Sequence, residues 1–149
     1  MGATTRKAAV RNALRDLRVQ LVLLNNQVAA RLALKDVELD LLDVLAKEGA
    51  LTPSALARLS GIHPATLTGI LDRLERGGWI IRDRDQRDRR SITIRIVKER
   101  TAEVYRLYRG MNGAIDTICA DYTDEQLELV AGFLNRCTEA GLTSAEKLS

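Results

Sequence analysis

The stretch from residue 52 to residue 97 constrains the fold of this chain more than any other part. Apolar residues recur at helical spacing in two of its segments, which predict helices over 53–59 and 64–76. Gly61 lies between the two segments, and Pro64 takes the first position of the second helix, where a missing N–H costs nothing. The sequence therefore predicts two short helices joined by a tight turn.

A β-hairpin with a basic tip is predicted to follow, over residues 79–97. Two glycines, Gly77 and Gly78, end the preceding helix, because glycine enters the left-handed region without strain. Isoleucines alternate with polar residues from 92 to 96, as in a half-buried strand. The tip, residues 82–90, holds five arginines against three aspartates. Helix, turn, helix and hairpin in this order predict a winged helix-turn-helix domain, whose second helix fits the major groove of DNA.

Long helices with apolar stripes are predicted on both sides of this domain. Residues 6–32 carry apolar side chains at steps of three and four, as do residues 99–120 and a helix that begins after Thr123. The first helix packs either on its own domain or on a second copy of the chain. We favour the second copy, because little else is available to cover so long a stripe. The predicted fold class is mainly α with a small β-hairpin, divided into a dimerisation helix at 1–34, the winged domain at 35–97 and C-terminal dimerisation helices at 98–149.

The distribution of charge is more informative than the net charge of +3. Residues 1–35 hold seven basic groups against one acidic group, and residues 61–98 hold nine against five. The segments 36–60 and 99–149 are net negative. Positive charge thus concentrates on the second helix, the hairpin and the N-terminal helix, where an anionic polymer would be attracted. The alternative is that these charges only form a solvated surface with local salt bridges. The three aspartates between the arginines of the hairpin tip partly support this alternative.

Several classes of protein are not expected from this composition. Cys119 and Cys137 are too few for a disulfide scaffold and lack metal-ligand spacing, so we expect buried thiols in the reducing cytoplasm. No apolar run is long enough to span a membrane. His63 is the single histidine, and a role as a helix cap is simpler than a role in a catalytic relay. The sequence also lacks a glycine-rich phosphate-binding loop. We therefore expect neither an enzyme nor a bound cofactor or metal.

Three segments resemble the MarR family of bacterial transcriptional regulators: Leu-Thr-Pro-Ser-Ala-Leu-Ala at 51–57, Leu-Asp-Arg-Leu-Glu-Arg-Gly-Gly-Trp at 71–79 and Asp-Gln-Arg-Asp-Arg-Arg-Ser at 85–91. The resemblance extends over most of the chain. It implies a homodimeric winged helix-turn-helix repressor that binds a palindromic operator and is often released by a small ligand. The family's wing aspartate and tip arginine match Asp88 and Arg90. His63 departs from the family, which usually has a small cap such as Ser or Asp there.

Four residues at the start of the second helix are candidates for base contacts: Pro64, Ala65, Thr66 and Thr68. The threonine hydroxyls can meet base edges or phosphates, and the carbon atoms can contact thymine methyl groups. Arg73 lies late in the helix and is a candidate phosphate clamp, unless it pairs with a nearby carboxylate. Ser54 can present its hydroxyl and backbone N–H to phosphate at a helix N-terminus, unless it only caps that helix.

The arginines of the hairpin supply the remaining candidates. Arg89 and Arg90 are the strongest candidates for the minor groove or the phosphates, and Arg84 and Arg87 are included with them. Asp88 is expected to brace one arginine through a bidentate pair, which would fix the tip. Arg82 and Arg84 are more simply expected to contact the DNA backbone or carboxylates of the chain itself.

These residues predict a dimeric regulator that binds double-stranded DNA in a sequence-specific manner. Its expected partners are a DNA operator, a second copy of the chain and a small-molecule effector, whose binding residues the sequence does not indicate. The alternative is a winged-helix module that binds another protein and no DNA. Polar Thr66 and Thr68 on the exposed face of the second helix argue against that alternative.

Overall fold

A computed structural model of the chain describes residues 2–85, 87–88 and 90–149 and confirms the predicted fold class. The described helices and strands follow the order α1 Ala3–Arg31, α2 Asp36–Glu48, α3 Pro53–Ser60, α4 Pro64–Arg76, β1 Ile80–Arg84, β2 Ile92–Ile96, α5 Lys98–Cys119 and α6 Asp124–Glu146. The ends differ from the predicted ends by only a few residues, because caps and glycines set them locally. None of the described helices is long and apolar enough to cross a membrane.

The hairpin is antiparallel, with Ile80 opposite Ile96 and Arg84 opposite Ile92. A third short segment joins it at Leu51, which exchanges two backbone hydrogen bonds with Ile94, at 3.0 and 2.7 Å. This bridge connects the turn before α3 to the middle of β2. The hairpin is therefore held to the helical part of the domain by backbone bonds as well as by side chains.

The chain divides into two compact units, and the first extends to Leu107. Its core lies where α2, α3, α4 and the hairpin meet. The largest fully buried side chains are Leu39, Leu41, Leu45, Leu56, Leu67, Leu74, Ile80 and Ile94. Each contributes about 1.5 to 3 kcal/mol by leaving water. Since α4 supplies Leu67 and Leu74 to this core, its opposite face is left in solvent.

Helix α1 belongs to the first unit and is buried only near its C-terminal end, at Val28 and Ala29. Its preceding turns keep large apolar side chains exposed, namely Val10, Leu17, Val19, Leu21, Val22 and Leu23. The apolar stripe predicted from the sequence is therefore present and is uncovered over most of its length in the single chain.

The second unit, Tyr108–Ser149, contains the rest of α5 and all of α6. Helix α6 begins at a capping box, in which the Gln126 N–H donates to Thr123 Oγ1 at 3.2 Å and the Thr123 N–H donates to Gln126 Oε1 at 2.9 Å. No residue of α6 is buried.

Cys119 and Cys137 are reduced and only half-buried in the single chain, so their expected full burial is not found there. The predicted domain boundary before residue 98 stays a prediction, and the first turns of α5 belong to the first unit.

Candidate nucleic-acid interface

Local capping sets the positions of α3 and α4. The Ala55 N–H donates to Thr52 Oγ1 at 3.2 Å at the start of α3, and Gly61 ends that helix with a φ of 70°. At the start of α4 the Ala65 N–H donates to His63 Nδ1 at 3.2 Å. His63 is therefore a helix cap, as the sequence indicated, and its ring takes the place of the smaller side chain usual in the family.

Helix α4 has one buried face and one exposed face. Leu67, Leu71 and Leu74 are buried, whereas the four candidates for base contacts, Pro64, Ala65, Thr66 and Thr68, are all exposed. The Thr68 hydroxyl donates to the Pro64 carbonyl at 3.2 Å, which leaves its methyl group and its oxygen lone pairs for an outside partner. The Thr66 hydroxyl makes no hydrogen bond with another side chain or with the backbone of the described residues. The face is thus polar, shallow and accessible.

Ser54 lies exposed in the first turn of α3, the helix that precedes α4. Its hydroxyl is 3.3 Å from Thr52 Oγ1, the atom that caps the helix. The cap is therefore Thr52, and the hydroxyl of exposed Ser54 lies beside it near the helix N-terminus. That arrangement is compatible with phosphate, because the first N–H groups of a helix attract anions.

Arg73 forms an ion pair, but its partner is not the nearby carboxylate that the sequence suggested. Its guanidinium forms an ion pair with Glu38 of α2, 35 residues earlier in the chain, and not with a neighbouring carboxylate of α4. The Glu38 side chain is 4% exposed and the Arg73 side chain is 40% exposed. The other oxygen of Glu38 accepts the Lys35 N–H at 3.0 Å. Arg73 therefore joins α4 to the start of α2, and its exposed half is what remains for a phosphate.

Arg82 joins the hairpin to α4. Its Nη2 atom donates to Asp72 Oδ1 at 2.6 Å and to Glu75 Oε1 at 3.1 Å. Its Nε and its backbone N–H both donate to Glu75 Oε2, each at 3.2 Å. The Arg82 guanidinium, through these hydrogen bonds, holds the pKa of Glu75 below its usual range, and the two carboxylates raise the pKa of Arg82. This is the internal contact that the sequence suggested for Arg82.

The hairpin tip is organised by aspartates that accept backbone hydrogen bonds. Asp85 Oδ1 accepts the Arg87 N–H at 2.9 Å, and Asp88 Oδ1 accepts the Arg90 N–H at 3.0 Å. Asp88 thus braces the turn through the backbone of Arg90, where the sequence suggested a pair with a guanidinium. Arg84, Arg87 and Arg90 are exposed and form no ion pair within the described residues. Arg89, the other tip candidate, lies outside the described residues.

Two side chains of this region were missed by sequence reasoning. Glu38 is buried, but α2 also carries Asp36, Asp40 and Asp43, and the sequence did not distinguish Glu38 from these exposed acids. Arg100, in the first turn of α5, lies over the ring of Trp79. No local pattern indicated this contact, because its two residues belong to different elements.

The Arg82 link is expected to persist in mild acid and to break only at low pH. Because the folded state lowers the pKa of Glu75, the link contributes stability above the ordinary pKa of a glutamate and loses it as the pH falls through the lowered value. The Arg82→Gln variant should return the Glu75 titration to the ordinary range. Carboxylate chemical shifts followed by NMR from pH 2 to 7 measure both titrations. Equal Glu75 midpoints in the two proteins would contradict the assignment.

The exposed polar face of α4, the braced basic hairpin and the capped short helices α3 and α4 define a winged helix-turn-helix protein. Known proteins with similar sequences belong to the same class. A model of the MarR family matches residues 34–92. The chain is 29% identical to YcgE of Bacillus subtilis (strain 168), an uncharacterised HTH-type transcriptional regulator, over 90% of this chain and 87% of that one. It is 30% identical to the HTH-type transcriptional regulator PecS of Dickeya dadantii (strain 3937), over 74% of this chain and 69% of that one.

The fold agrees as well. A mutant of MepR from S. aureus, solved bound to an oligodeoxyribonucleotide, superposes with a TM-score of 0.62 at 18% identity, over 88% of this chain and 96% of that one. The chain belongs to the MarR family of transcriptional regulators.

Proposed function

We propose that the protein is a homodimeric transcriptional repressor that binds a pseudo-palindromic operator in double-stranded DNA and is released by a small ligand. The observation that carries the DNA-binding part is the pairing of two exposed features on one domain. The polar face of α4 lies beside a hairpin whose tip exposes Arg84, Arg87 and Arg90, and Arg82 joins this hairpin to α4 through Asp72 and Glu75. A protein of this function works in the cytoplasm, at the nucleoid.

In the proposed complex α4 enters the major groove with its N-terminal end. Pro64, Ala65, Thr66 and Thr68 then lie against base edges and thymine methyl groups, as their exposure permits. Ser54 contacts a phosphate from the start of α3, and the exposed part of Arg73 contacts another. Arg84, Arg87 and Arg90, together with Arg89, lie along the adjacent backbone or in the minor groove.

The dimer is proposed because apolar side chains remain exposed in both units. In α1 they are Val10, Leu17, Val19, Leu21, Val22 and Leu23, and in the second unit they include Ile115, Ile118, Leu129, Val130, Phe133 and Leu134. A monomer rarely leaves so much apolar surface in water. A two-fold dimer would place its two reading helices about 34 Å apart, one turn of duplex, on a pseudo-palindromic site.

The function is tested by selecting bound fragments from a genomic library and then measuring affinity for the selected fragment and for bulk DNA at matched salt. We expect a clear preference for a pseudo-palindromic fragment. If about six to ten phosphates are neutralised, log affinity should fall with log salt at a slope near −5 to −9. No preference at any salt, or a monomer by sedimentation at binding concentrations, would overturn the proposal.

The second candidate is a winged-helix module that binds an acidic protein partner through the hairpin. The exposed arginines would serve such a partner as well as they serve DNA. The exposed threonines of α4 favour DNA, since a protein-binding helix would present apolar anchors there. The fragment selection separates the two functions, because a module of this kind shows no sequence preference among duplexes.

Gly69 supplies a test of the proposed orientation of α4. It lies in the middle of the helix, exposed, and a Cβ atom there would meet nothing within 4 Å. Alanine should stabilise the helix by up to about 1 kcal/mol. If this face meets a groove floor, the same methyl group should weaken operator binding several-fold. Thermal unfolding and operator titration measure the two effects, and higher stability with unchanged affinity would show that Gly69 does not face the DNA.

A further inference from the structure

Trp79 is the residue through which α4 and α5 meet. It is 3% exposed. Its N–H donates to the Leu74 carbonyl near the end of α4 at 2.9 Å. Its carbonyl accepts the N–H of Val97, the residue before α5, at 2.9 Å. The Trp79 N–H is therefore hydrogen-bonded to the end of α4, and the Trp79 carbonyl is hydrogen-bonded to the residue that precedes α5.

The ring of Trp79 lies tightly against the end of α4. A Cβ atom built on Gly77 would approach the Trp79 Cδ1 atom to 2.8 Å, closer than carbon atoms pack. Gly77 has a φ of −74°, so its backbone does not require glycine. Glycine is required here because a side chain at position 77 would occupy the space of the Trp79 ring and displace it.

Arg100 contacts the same ring from the first turn of α5. Its guanidinium carbon is 4.0 Å from the centroid of the Trp79 ring, in a cation–π contact. Its Nε donates to the Gly77 carbonyl at 3.3 Å, and its Nη1 pairs with Glu103 one turn further along α5. One side chain therefore contacts the end of the reading helix, the ring beside it and the helix that leaves the domain.

We propose that Arg100 is a positioning residue for DNA recognition, which fixes the angle of α4 relative to α5 without touching DNA. The proposal rests on the proposed function, since it requires α5 to belong to a dimer that presents two reading helices to one duplex. Specific binding needs both helices at the correct angle. Non-specific binding depends on phosphate charge and tolerates a range of angles.

The test compares three variants on the operator selected by the wild-type protein. Arg100→Met keeps an aliphatic stem over the ring and loses the charge and the donors. Arg100→Lys keeps a cation but loses the Nε donor to Gly77. Arg106→Met is the matched control, because Arg106 is exposed on the same helix and its removal changes the net charge equally.

We expect Arg100→Met to lower operator affinity about tenfold while affinity for bulk duplex and the salt slope stay at wild-type values. Arg100→Lys should recover part of the loss, and Arg106→Met should bind as wild type. The fluorescence of Trp79, the single tryptophan, reports whether the ring stays buried in each variant. A merely unfolding variant would lose operator and bulk DNA binding in the same proportion.

The outcomes separate the two proposals. A wild-type protein without sequence preference overturns the proposed function. A wild-type protein with a preference, and an Arg100→Met variant that keeps the full preference with a buried ring, overturns the positioning role alone. Equal losses for the operator and bulk DNA also overturn it, because they indicate either a phosphate contact or a general loss of folded protein.

Discussion

Reversal of charge at Arg87 and Arg90 is expected to lower affinity for every duplex, operator and bulk DNA alike, by about 100- to 1,000-fold at low salt. Both side chains are exposed at the hairpin tip and form no ion pair within the described residues. Their backbone N–H groups are held by Asp85 and Asp88, so the tip is kept in place while the guanidinium groups remain available. A glutamate at each position removes a phosphate contact and adds repulsion.

The salt dependence makes this prediction specific. Two substitutions per chain are four per dimer, and each lost phosphate contact lowers the salt slope by about 1. The slope should therefore become less steep by about 3 to 4. Reversal at Arg136 of α6 and at Lys147, the C-cap of that helix, is the matched control, because it changes the net charge equally at positions that no proposed DNA contact uses. Unchanged affinity at the tip, or an equal loss in the control, would remove the hairpin from the binding mechanism.

The Arg73→Ala variant should lose about 2 to 4 kcal/mol of unfolding free energy, because it leaves the nearly buried carboxylate of Glu38 without its cation. One hydrogen bond, from the Lys35 N–H, would remain to that carboxylate. The midpoint of thermal unfolding should fall by about 10 °C for a chain of this size. Thermal and urea unfolding at one fixed protein concentration measure the loss. A change below about 0.5 kcal/mol would show that the pair contributes as little as a surface ion pair.

A double variant separates the structural role of Arg73 from its proposed contact with phosphate. Replacement of both partners, Glu38→Leu with Arg73→Met, removes the buried charge as well as its cation and should recover most of the lost stability. If Arg73 also clamps a phosphate, the double variant should still bind DNA more weakly than wild type. Restored stability with restored affinity would make Arg73 a purely structural residue.

The elements of this fold were predictable because they are specified locally. Thr52 marks the start of α3 through its side-chain cap, and Gly61 and Gly78 mark helix ends because both have a positive φ. The leucines of α4 and the isoleucines of β2 then show which face is buried. The exposure of Thr66 and Thr68 follows from the periodicity of α4, and the exposure of Arg87 and Arg90 follows from their place in the loop between the two strands.

The tertiary structure decided which charged residues are already bound to partners within the chain. Arg73, Arg82 and Arg90 look equivalent in sequence, each within a few residues of a carboxylate. In the folded chain Arg73 pairs with an acid 35 residues away, Arg82 bridges two acids of α4, and the Arg90 guanidinium forms no ion pair within the described residues. Pairing between distant residues depends on how elements pack, and no periodicity records it.

The sequence alone therefore determined the architecture and the exposed surface of the reading helix and hairpin, since short-range capping and hydrophobic patterning specify both. Only the folded chain separated arginines that brace the domain from arginines that are available to DNA, and it placed Arg100 over Trp79. The physical reason is that an ion pair or a ring contact forms between whichever groups the packed core brings within a few ångströms.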